Sequence, residues 1–248
     1  MLGTLKLNTI KNVLRRIPGI QALYRALCNA YFEYLVKQAR TERIFTYIHK
    51  KKLWAAIDST SGPGSDRHQT RAITEALPQV FRDYNISTML DIPCGDFCWM
   101  NRVDRADVDY LGADIVRDLI RENKQKYEKN DQRFQELNLI TDRIPKVDLI
   151  FCRDCFVHFS FDDILSALRN ICDSQSDLLL TTTFIGRQEN FDILTGQWRP
   201  LNLAIAPFLL PGPLVVINEQ CTEGNGKYED KSLALWLIED IRAAMQSG

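Results

Sequence analysis

The sequence lacks the features that would mark it as a membrane protein or as a member of several common enzyme classes. No run of about 18 or more apolar residues occurs, so no membrane-spanning helix is predicted. There is no Gly-x-Ser-x-Gly nucleophile elbow and no Gly-x-Gly-x-x-Gly fingerprint of NAD-binding folds. Gly224-Asn-Gly-Lys227 lacks the spacing of a phosphate-binding P-loop. These absences argue against a serine hydrolase, a P-loop nucleotidase and a nicotinamide-dependent oxidoreductase.

The first residues also lack the signals of secretion, because no uninterrupted apolar core precedes a small-residue cleavage site. The seven cysteines are odd in number, which argues for reduced thiols. A cytoplasmic location is therefore expected. With 45% hydrophobic and 25% charged residues over 248 positions, the composition is typical of a globular protein with one large domain or two small ones.

Charge is distributed unevenly along the chain. Residues 1–52 contain eleven Lys or Arg and two Asp or Glu, whereas the remainder contains twenty and thirty. A basic leader on an acidic body can touch a membrane surface, a nucleic acid or an acidic glycan, and it can equally be a solvated helical face. The partner expected of this segment is a peripheral membrane or another acidic surface, and nucleic acid is not expected.

The sequence divides into a basic helical segment over 1–57, a Gly/Ser/Pro loop or lid over 58–67, and a body over 68–248. Apolar residues at helical spacing predict two short helices in the first segment, separated at Pro18-Gly19. In the body, Ser160 and Asp163 predict a helix-capping box. Helices are predicted over 68–83, 97–104, 115–128 and 160–172, and strands over 87–92, 109–114, 133–138, 147–152, 178–184, 213–218 and 232–238.

The first five predicted strands are separated mostly by helices, which predicts a parallel sheet with right-handed crossovers. The stretch between the last two strands is polar and too short for a helical crossover, so these strands are predicted to form an antiparallel hairpin. The predicted fold class is therefore α/β, a doubly wound seven-stranded sheet that is mostly parallel, with a C-terminal antiparallel hairpin and added N-terminal helices.

Open α/β sheets bind ligands at the carboxyl ends of their strands, where this sequence places polar residues. Asp91 ends the first strand, and Gly95 in the following turn lets the backbone approach a ligand closely. Asp114 ends the second strand and can accept hydrogen bonds from both hydroxyls of a ribose. Asn138 ends the third, where its amide can bind an adenine edge. Turn and cap chemistry is the alternative interpretation of both aspartates.

These segments together resemble the class I S-adenosylmethionine (SAM)-dependent methyltransferases. The resemblance rests on Leu90-Asp-Ile-Pro-Cys-Gly-Asp-Phe97, Leu111-Gly-Ala-Asp-Ile115, Leu137-Asn-Leu139 and Asp148-Leu-Ile-Phe-Cys-Arg-Asp-Cys-Phe-Val-His158, and it covers residues 85–185 well. The glycine loop of that family is altered, because Pro93 and Phe97 replace its first and third glycines. The resemblance implies a SAM-dependent methyltransferase with SAM as its cofactor.

The resemblance also implies roles for individual residues. Asp91 and Gly95 would border the methionine and ribose of SAM, Asp114 would hold the ribose hydroxyls, and Ile115 would pack on adenine. Asn138 would accept a hydrogen bond from the adenine amino group. The other residues expected at the cofactor are Pro93, Asp96, Leu139 and Arg153.

The fourth strand is followed by His158, which can take a proton from a substrate hydroxyl during methyl transfer, since its ordinary pKa lies near physiological pH. Asp154 can orient His158 or act as the base itself. The alternative is that His158 packs near the start of the next helix. The absence of an Asn/Asp-Pro-Pro-Tyr motif at this position argues against methylation of nucleic-acid bases. O-methylation of a small polar molecule or glycan is therefore the expected reaction.

A long polar and aromatic stretch over 186–202 is expected to cover the acceptor site. Trp198, Arg199 and Asn202 are its candidate acceptor-binding residues, and a crossover loop anchored by Trp198 is the alternative. The segment 61–65, preceded by Trp54, is either a lid over SAM or a plain linker.

Two other functions stay open. The protein can be a non-catalytic partner that retains the fold, or a nicotinamide-dependent oxidoreductase. Cys94, Cys98, Cys152 and Cys155 fall at adjoining strand ends, where four thiols can bind zinc. Small buried cysteines are the expected alternative, so no metal site is predicted.

Overall fold

The computed structural model describes residues 18–247. The helix predicted before Pro18-Gly19 lies outside these residues. The helices are α1 (Pro18–Gln38), α2 (Thr41–Lys51), α3 (Arg71–Asp83), α4 (Arg117–Tyr127), α5 (Phe161–Asp173) and α6 (Ile238–Ser247), and the strands are β1 (Thr88–Asp91), β2 (Asp109–Asp114), β3 (Gln132–Glu136), β4 (Leu149–Cys152), β5 (Leu178–Phe184), β6 (Val215–Asn218) and β7 (Lys231–Leu237).

The seven strands form one sheet in the order β3-β2-β1-β4-β5-β7-β6. Strands β1 to β5 pair in parallel, and β7 pairs antiparallel with both β5 and β6. The predicted doubly wound, mostly parallel sheet with an antiparallel hairpin is therefore confirmed. Successive strands are added on one side of β1 up to β3 and on the other side from β4 onwards. The crevice between β1 and β4, where this order reverses, is the place where open α/β sheets bind ligands.

The sheet is buried on both faces. Every residue of β4 and β5 is buried, as expected of central strands covered by helices on each side. One core cluster includes the apolar faces of α5 and α6, and the other includes that of α3. The predicted capping box at α5 is present on one side, since the Ser160 hydroxyl accepts the Asp163 amide at 3.2 Å.

The helix predicted over 97–104 is wrong, because only one 3-10 turn, Met100–Arg102, forms there. Phe97 adopts a left-handed φ of 57°, which ends any helix at that point. Its ring is buried against Tyr110 and Phe134. Helix α6 was not predicted, since the apolar run of β7 continues directly into Ile238 at its start.

Helices α1 and α2 lie over the segment that follows β5. A methyl group added at Gly196 would lie 2.5 Å from Ile44 Cγ2 and 3.1 Å from Val36 Cγ1, so the two parts are closely packed. Leu35 and Ile48 complete the small apolar cluster between these helices. Among the described residues, no helix is long and apolar enough to cross a membrane.

Candidate active site

A cavity of about 440 Å³ lies at the carboxyl ends of the parallel strands. It is lined by residues of α2, the 60–65 loop, the ends of β1, β2, β4 and β5, and the start of β7. Twelve of the fourteen predicted site residues line it: Asp91, Pro93, Gly95, Asp96, Asp114, Ile115, Asn138, Leu139, Arg153, Asp154, His158 and Trp198. The topology therefore brings together residues that are distant in sequence.

Asp114 ends β2 as a buried carboxylate that faces this cavity. Its oxygens accept the backbone amides of Val116 at 2.9 Å and Gly95 at 3.3 Å. Burial raises its pKa to about 6, because the charged form loses water, while those amide hydrogen bonds oppose the rise. The carboxylate is thus fixed in place by the turn after β1.

Asp91, at the end of β1, is more strongly held. The Tyr110 hydroxyl donates to its Oδ2 at 2.6 Å. Burial raises the pKa of Asp91 to about 7, an effect that this hydrogen bond and the charge of Arg105 only partly reverse. Asp91 therefore carries a variable charge near neutral pH.

Asp96 lines the cavity and also binds the 59–61 segment. Its carboxylate accepts the Ser59 hydroxyl at 3.0 Å and the Thr60 amide at 2.7 Å. In return, the Asp96 amide donates to Ser61 Oγ at 2.9 Å. Gly95 is required beneath this contact, since its φ is +55° and a Cβ there would lie 2.5 Å from Ser61 Oγ. The 59–61 segment, expected to be either a lid or a linker, thus packs against the turn after β1.

The adenine-side residues Ile115 and Leu139 line the cavity beside Asn138. The Asn138 side-chain oxygen already accepts the Ile140 amide at 2.9 Å. This bond caps a local turn, so the oxygen expected to accept from adenine already has one backbone partner.

A network of buried charges follows β4. Arg153 donates to Glu219 Oε2 at 2.6 Å and to the Gly64 carbonyl at 2.8 Å. Lys231 donates to Asp154 Oδ2 at 2.7 Å. Burial works against the charge of Asp154, but Arg153 and Lys231 hold its pKa well below the usual range. Arg153, predicted at the cofactor, lines the cavity and also connects the Gly64 carbonyl to Glu219, which directly follows β6.

His158 is not hydrogen-bonded to Asp154. Its Nδ1 lies 2.9 Å from the Gln197 carbonyl oxygen, which makes Nδ1 the protonated nitrogen. Its ring stacks on Trp54 with centroids 4.2 Å apart. Burial lowers the pKa of His158 to about 4, so the ring is neutral at physiological pH. Within residues 18–247, no hydrogen bond reaches Nε2.

The structure does not bring Arg199 or Asn202 to the cavity. Arg199 is fully buried and donates to the carbonyl oxygens of Phe156, Phe159 and Phe191. Asn202 is buried and donates to the Arg187 carbonyl at 2.9 Å. Arg199 holds the 186–202 segment against the body, and Asn202 joins the two ends of that segment, because the carbonyls of an irregular loop need buried partners. This structural role replaces the predicted acceptor contact.

Several lining residues were missed by sequence reasoning. Helix α2 contributes Thr41, Phe45, Ile48 and His49, and the C-terminal region contributes Glu223, Tyr228 and Lys231. Helix α2 was not predicted as a separate element, since the two helices expected in the basic segment were separated at Pro18-Gly19. Lys231 starts a strand and had no sequence signal of its own.

The four cysteines considered for zinc do not assemble a site. Within the described part of the chain, no group of three or more His, Cys, Asp or Glu side chains is placed to hold a metal ion. Cys94, Cys152 and Cys155 are buried, and burial raises the thiol pKa of Cys94 and Cys155. They are small apolar residues of the core.

No protein-family model and no curated protein sequence matches this chain. Solved structures do. The chain is similar to the magnesium protoporphyrin IX methyltransferase of Synechocystis PCC 6803 with bound SAM, with a TM-score of 0.53 and 12% identity over 81% of this chain and 98% of that one. The PH0226 protein of Pyrococcus horikoshii OT3 gives a TM-score of 0.50 and 15% identity over 70% and 92%.

Other similarities are partial. The match to a SAM-dependent methyltransferase from Clostridium acetobutylicum ATCC 824 has a TM-score of 0.40 and 14% identity, and it covers 47% of this chain and 52% of that protein. The chain thus spans about half the length of that structure. Together with the strand order, the longer matches establish that the fold is that of the class I SAM-dependent methyltransferases.

Proposed function

We propose that this protein binds SAM in the cavity and transfers its methyl group to a hydroxyl of a small polar molecule or glycan. The observation that carries the proposal is the buried Asp114 carboxylate, which faces the cavity beside the close turn at Gly95. A carboxylate at the end of the second strand is suited to the two hydroxyls of a ribose. A charge-assisted pair of such bonds is strong enough to fix the nucleoside.

The charge of the cavity also suits SAM. Its lining contains the carboxyl groups of Asp91, Asp96, Asp114, Asp154 and Glu223 against two basic side chains. A sulfonium cation is favoured in such surroundings, and its neutral thioether product is held less tightly. SAM, when bound, supplies an electrophilic methyl group.

His158 is the proposed proton acceptor. The Gln197 carbonyl holds the Nδ1 proton, so Nε2 presents its lone pair as the acceptor hydroxyl loses its proton. SAM would supply the methyl group in line to the acceptor oxygen, His158 Nε2 would take up the proton of that hydroxyl, and S-adenosylhomocysteine (SAH) would be the second product. Asp154 is held in ion pairs by Lys231 and Arg153, which gives it a positioning role, whereas His158 Nε2 has no hydrogen-bond partner within residues 18–247.

Calorimetric titration with SAM, SAH and NAD tests the cofactor assignment. We expect micromolar binding of SAM and SAH and none of NAD. Binding of NAD alone would restore the oxidoreductase alternative. Absence of SAM and SAH binding would mean that the altered glycine loop has lost the cofactor, and the non-catalytic partner would become the favoured function.

The His158 assignment needs a turnover measurement. For any acceptor found by transfer of labelled methyl, His158→Gln is expected to lower kcat by roughly 10²–10⁴-fold with little change in SAH affinity. Equal kcat values for wild type and His158→Gln would exclude His158 as the base.

We also propose that the N-terminal segment contacts an anionic membrane surface. Leu27, Tyr31 and Tyr34 of α1 are exposed on the described part of this basic segment. Vesicles with about 30% anionic lipid should co-sediment with the protein, and neutral vesicles should not. Equal behaviour with both vesicle types would argue for a solvated helix.

A further inference from the structure

The cavity has two chemically different parts, and the part near β4, β5 and β7 is left for the acceptor if SAM occupies the ends of β1 and β2. Asp114 ends β2, and Lys231 pairs with Phe184 at the same edge of the sheet. Four strand spacings separate β2 from β7, a distance of about 19 Å. The inference therefore rests on the proposed function and concerns the far part alone.

The charges of the far part nearly cancel. Lys231 Nζ lies 2.7 Å from Asp154 and 3.5 Å from Glu219, and Arg153 lies 2.6 Å from Glu219 and 3.3 Å from Asp154. Two cations and two carboxylates thus neutralise each other. Glu223 makes no ion pair with any described residue, so it adds one negative charge at the edge of the network. A carboxylate or phosphate on the acceptor would therefore meet an uncompensated like charge.

The same network still has hydrogen-bonding capacity. Lys231 Nζ carries three hydrogens, and it donates one of them to Asp154 Oδ2. The Asp154 side chain is 26% exposed, and its Oδ1 has one long contact with the Thr182 hydroxyl at 3.4 Å. An apolar acceptor would remove water from these groups without offering them hydrogen bonds, and this would weaken its binding. Several neutral hydroxyl groups on the acceptor would satisfy them.

Aromatic rings border this polar floor. Trp198, which is 42% exposed, packs edge-to-face against Tyr228 at 4.9 Å and Phe184 at 6.2 Å. All three line the cavity, and the Trp54–His158 stack lines it as well. Such rings bury the apolar face of a flat ligand with little loss of side-chain freedom. Aromatic borders and a charge-neutral polar floor together suit a ring with hydroxyls at its rim.

We propose that the acceptor is an uncharged cyclic polyol, such as a neutral sugar ring, which packs on Trp198 and bonds through its hydroxyls to Asp154 and Lys231. The reacting hydroxyl lies at His158 Nε2. Sugars with a carboxylate or an ammonium group are poorer ligands. The anion is repelled by the net negative charge. An ammonium group is attracted by Glu223, but it can reach Asp154 only by displacing the buried Lys231 from its ion pair.

The test uses matched rings that differ only in charge. The probes are the methyl glycosides of glucose and galactose, the corresponding uronates and the corresponding 2-amino sugars. Their dissociation constants are measured by saturation-transfer NMR with the full chain saturated in SAH. The neutral glycoside of at least one series is expected to bind roughly tenfold more tightly than its charged counterparts.

Two variants connect this binding to the site. Trp198→Ala is expected to weaken the neutral glycoside roughly tenfold, while Trp198→Phe retains most of the affinity. Phe191→Ala is the matched control, since Phe191 is an exposed aromatic of the same segment that does not line the cavity. SAH affinity, measured by calorimetry, should not change in any of the three.

The outcomes separate the two proposals. The polyol proposal is overturned if a charged series binds as tightly as the neutral series or more tightly. It is also overturned if no neutral ring binds at roughly 50 mM, near the weakest useful affinity, in protein that binds SAH. Either result leaves the proposed methyltransferase function intact. Failure to bind SAH overturns the proposed function itself. Equal losses in Trp198→Ala and Phe191→Ala would place the sugar outside the cavity.

Discussion

The two parts of the cavity are built in different ways. At the ends of β1 and β2, Asp114 is positioned by backbone amides of the adjoining turns. At the ends of β4 and β7, Arg153, Asp154, Glu219 and Lys231 position one another through side chains from distant segments. The first arrangement suits a ligand of fixed structure, and the second allows one fold to accommodate different acceptors. Backbone amides therefore position the proposed nucleoside site, and side-chain pairs from distant segments position the proposed acceptor site.

The largest expected effect is on the free energy of unfolding, and it comes from a substitution in the charge network at the ends of β4 and β7. Glu219→Ala should lower the free energy of unfolding by about 3–5 kcal/mol, because it leaves the Arg153 guanidinium buried without its main partner. Urea unfolding measures this. The matched control is Glu136→Ala, which removes an exposed partner of Arg117 and should cost about 0–1 kcal/mol. Similar losses in the two variants would contradict the distinction between the parts.

The first part is expected to respond in ligand binding rather than in folding. Asp114→Ala should weaken SAM binding by about 1–3 kcal/mol, since it removes the carboxylate that is proposed to accept hydrogen bonds from the ribose hydroxyls. Calorimetry measures the change. Asp109→Ala, at the opposite end of the same strand and paired with Arg133 outside the cavity, is the control. Unchanged SAM affinity in a folded Asp114→Ala protein would exclude the ribose assignment.

The pH dependence of SAM binding sharpens the comparison. Burial raises the pKa of Asp114 to about 6, so its carboxylate becomes fully charged only as the pH rises towards 7. SAM affinity should increase about tenfold between roughly pH 5 and 7, and the increase should be smaller in Asp114→Asn. A pH-independent affinity in wild type would contradict this.

The contribution of Asp114 to the free energy of unfolding changes with pH in the direction opposite to SAM affinity. The raised pKa of Asp114 means that the folded protein keeps its proton to higher pH than the unfolded chain. Its contribution to the free energy of unfolding is therefore fully present below the ordinary pKa of Asp and is lost as the pH rises through about 6. Urea unfolding of wild type and Asp114→Asn over this window isolates the contribution.

The smallest expected effect concerns the 59–65 segment, which is proposed to act as a lid over both parts of the cavity. Asp96→Ala removes the acceptor of the Ser59 hydroxyl and the Thr60 amide, so SAH should dissociate roughly threefold faster. Stopped-flow fluorescence of Trp54 is the measurement. Asp104→Ala is the control, because Asp104 is exposed and lies away from the cavity. Identical dissociation rates would make the 59–65 segment a linker.

Sequence reasoning predicted most of the fold because its signals are local. Alternating apolar strands and amphipathic helices specified the order of elements, and the short polar connection before β7 specified the hairpin. The error at 97–104 has a tertiary cause, because the ring of Phe97, whose φ is left-handed, packs against Tyr110 and Phe134 on neighbouring strands. Propensity alone gives no indication of such an override.

The sequence by itself determined the residues at strand ends, since the carboxyl ends of parallel strands must share one edge of the sheet. Asp91, Gly95 and Asp114 needed no knowledge of distant contacts. Only the tertiary structure decided that Arg199 and Asn202 are buried and bond to loop carbonyls. It also decided that Asp96 binds the 59–61 segment, and that Glu219 pairs with Arg153 and Lys231 with Asp154. The physical reason is that side-chain partners separated by about seventy residues are chosen by packing, which leaves no period or spacing in the sequence.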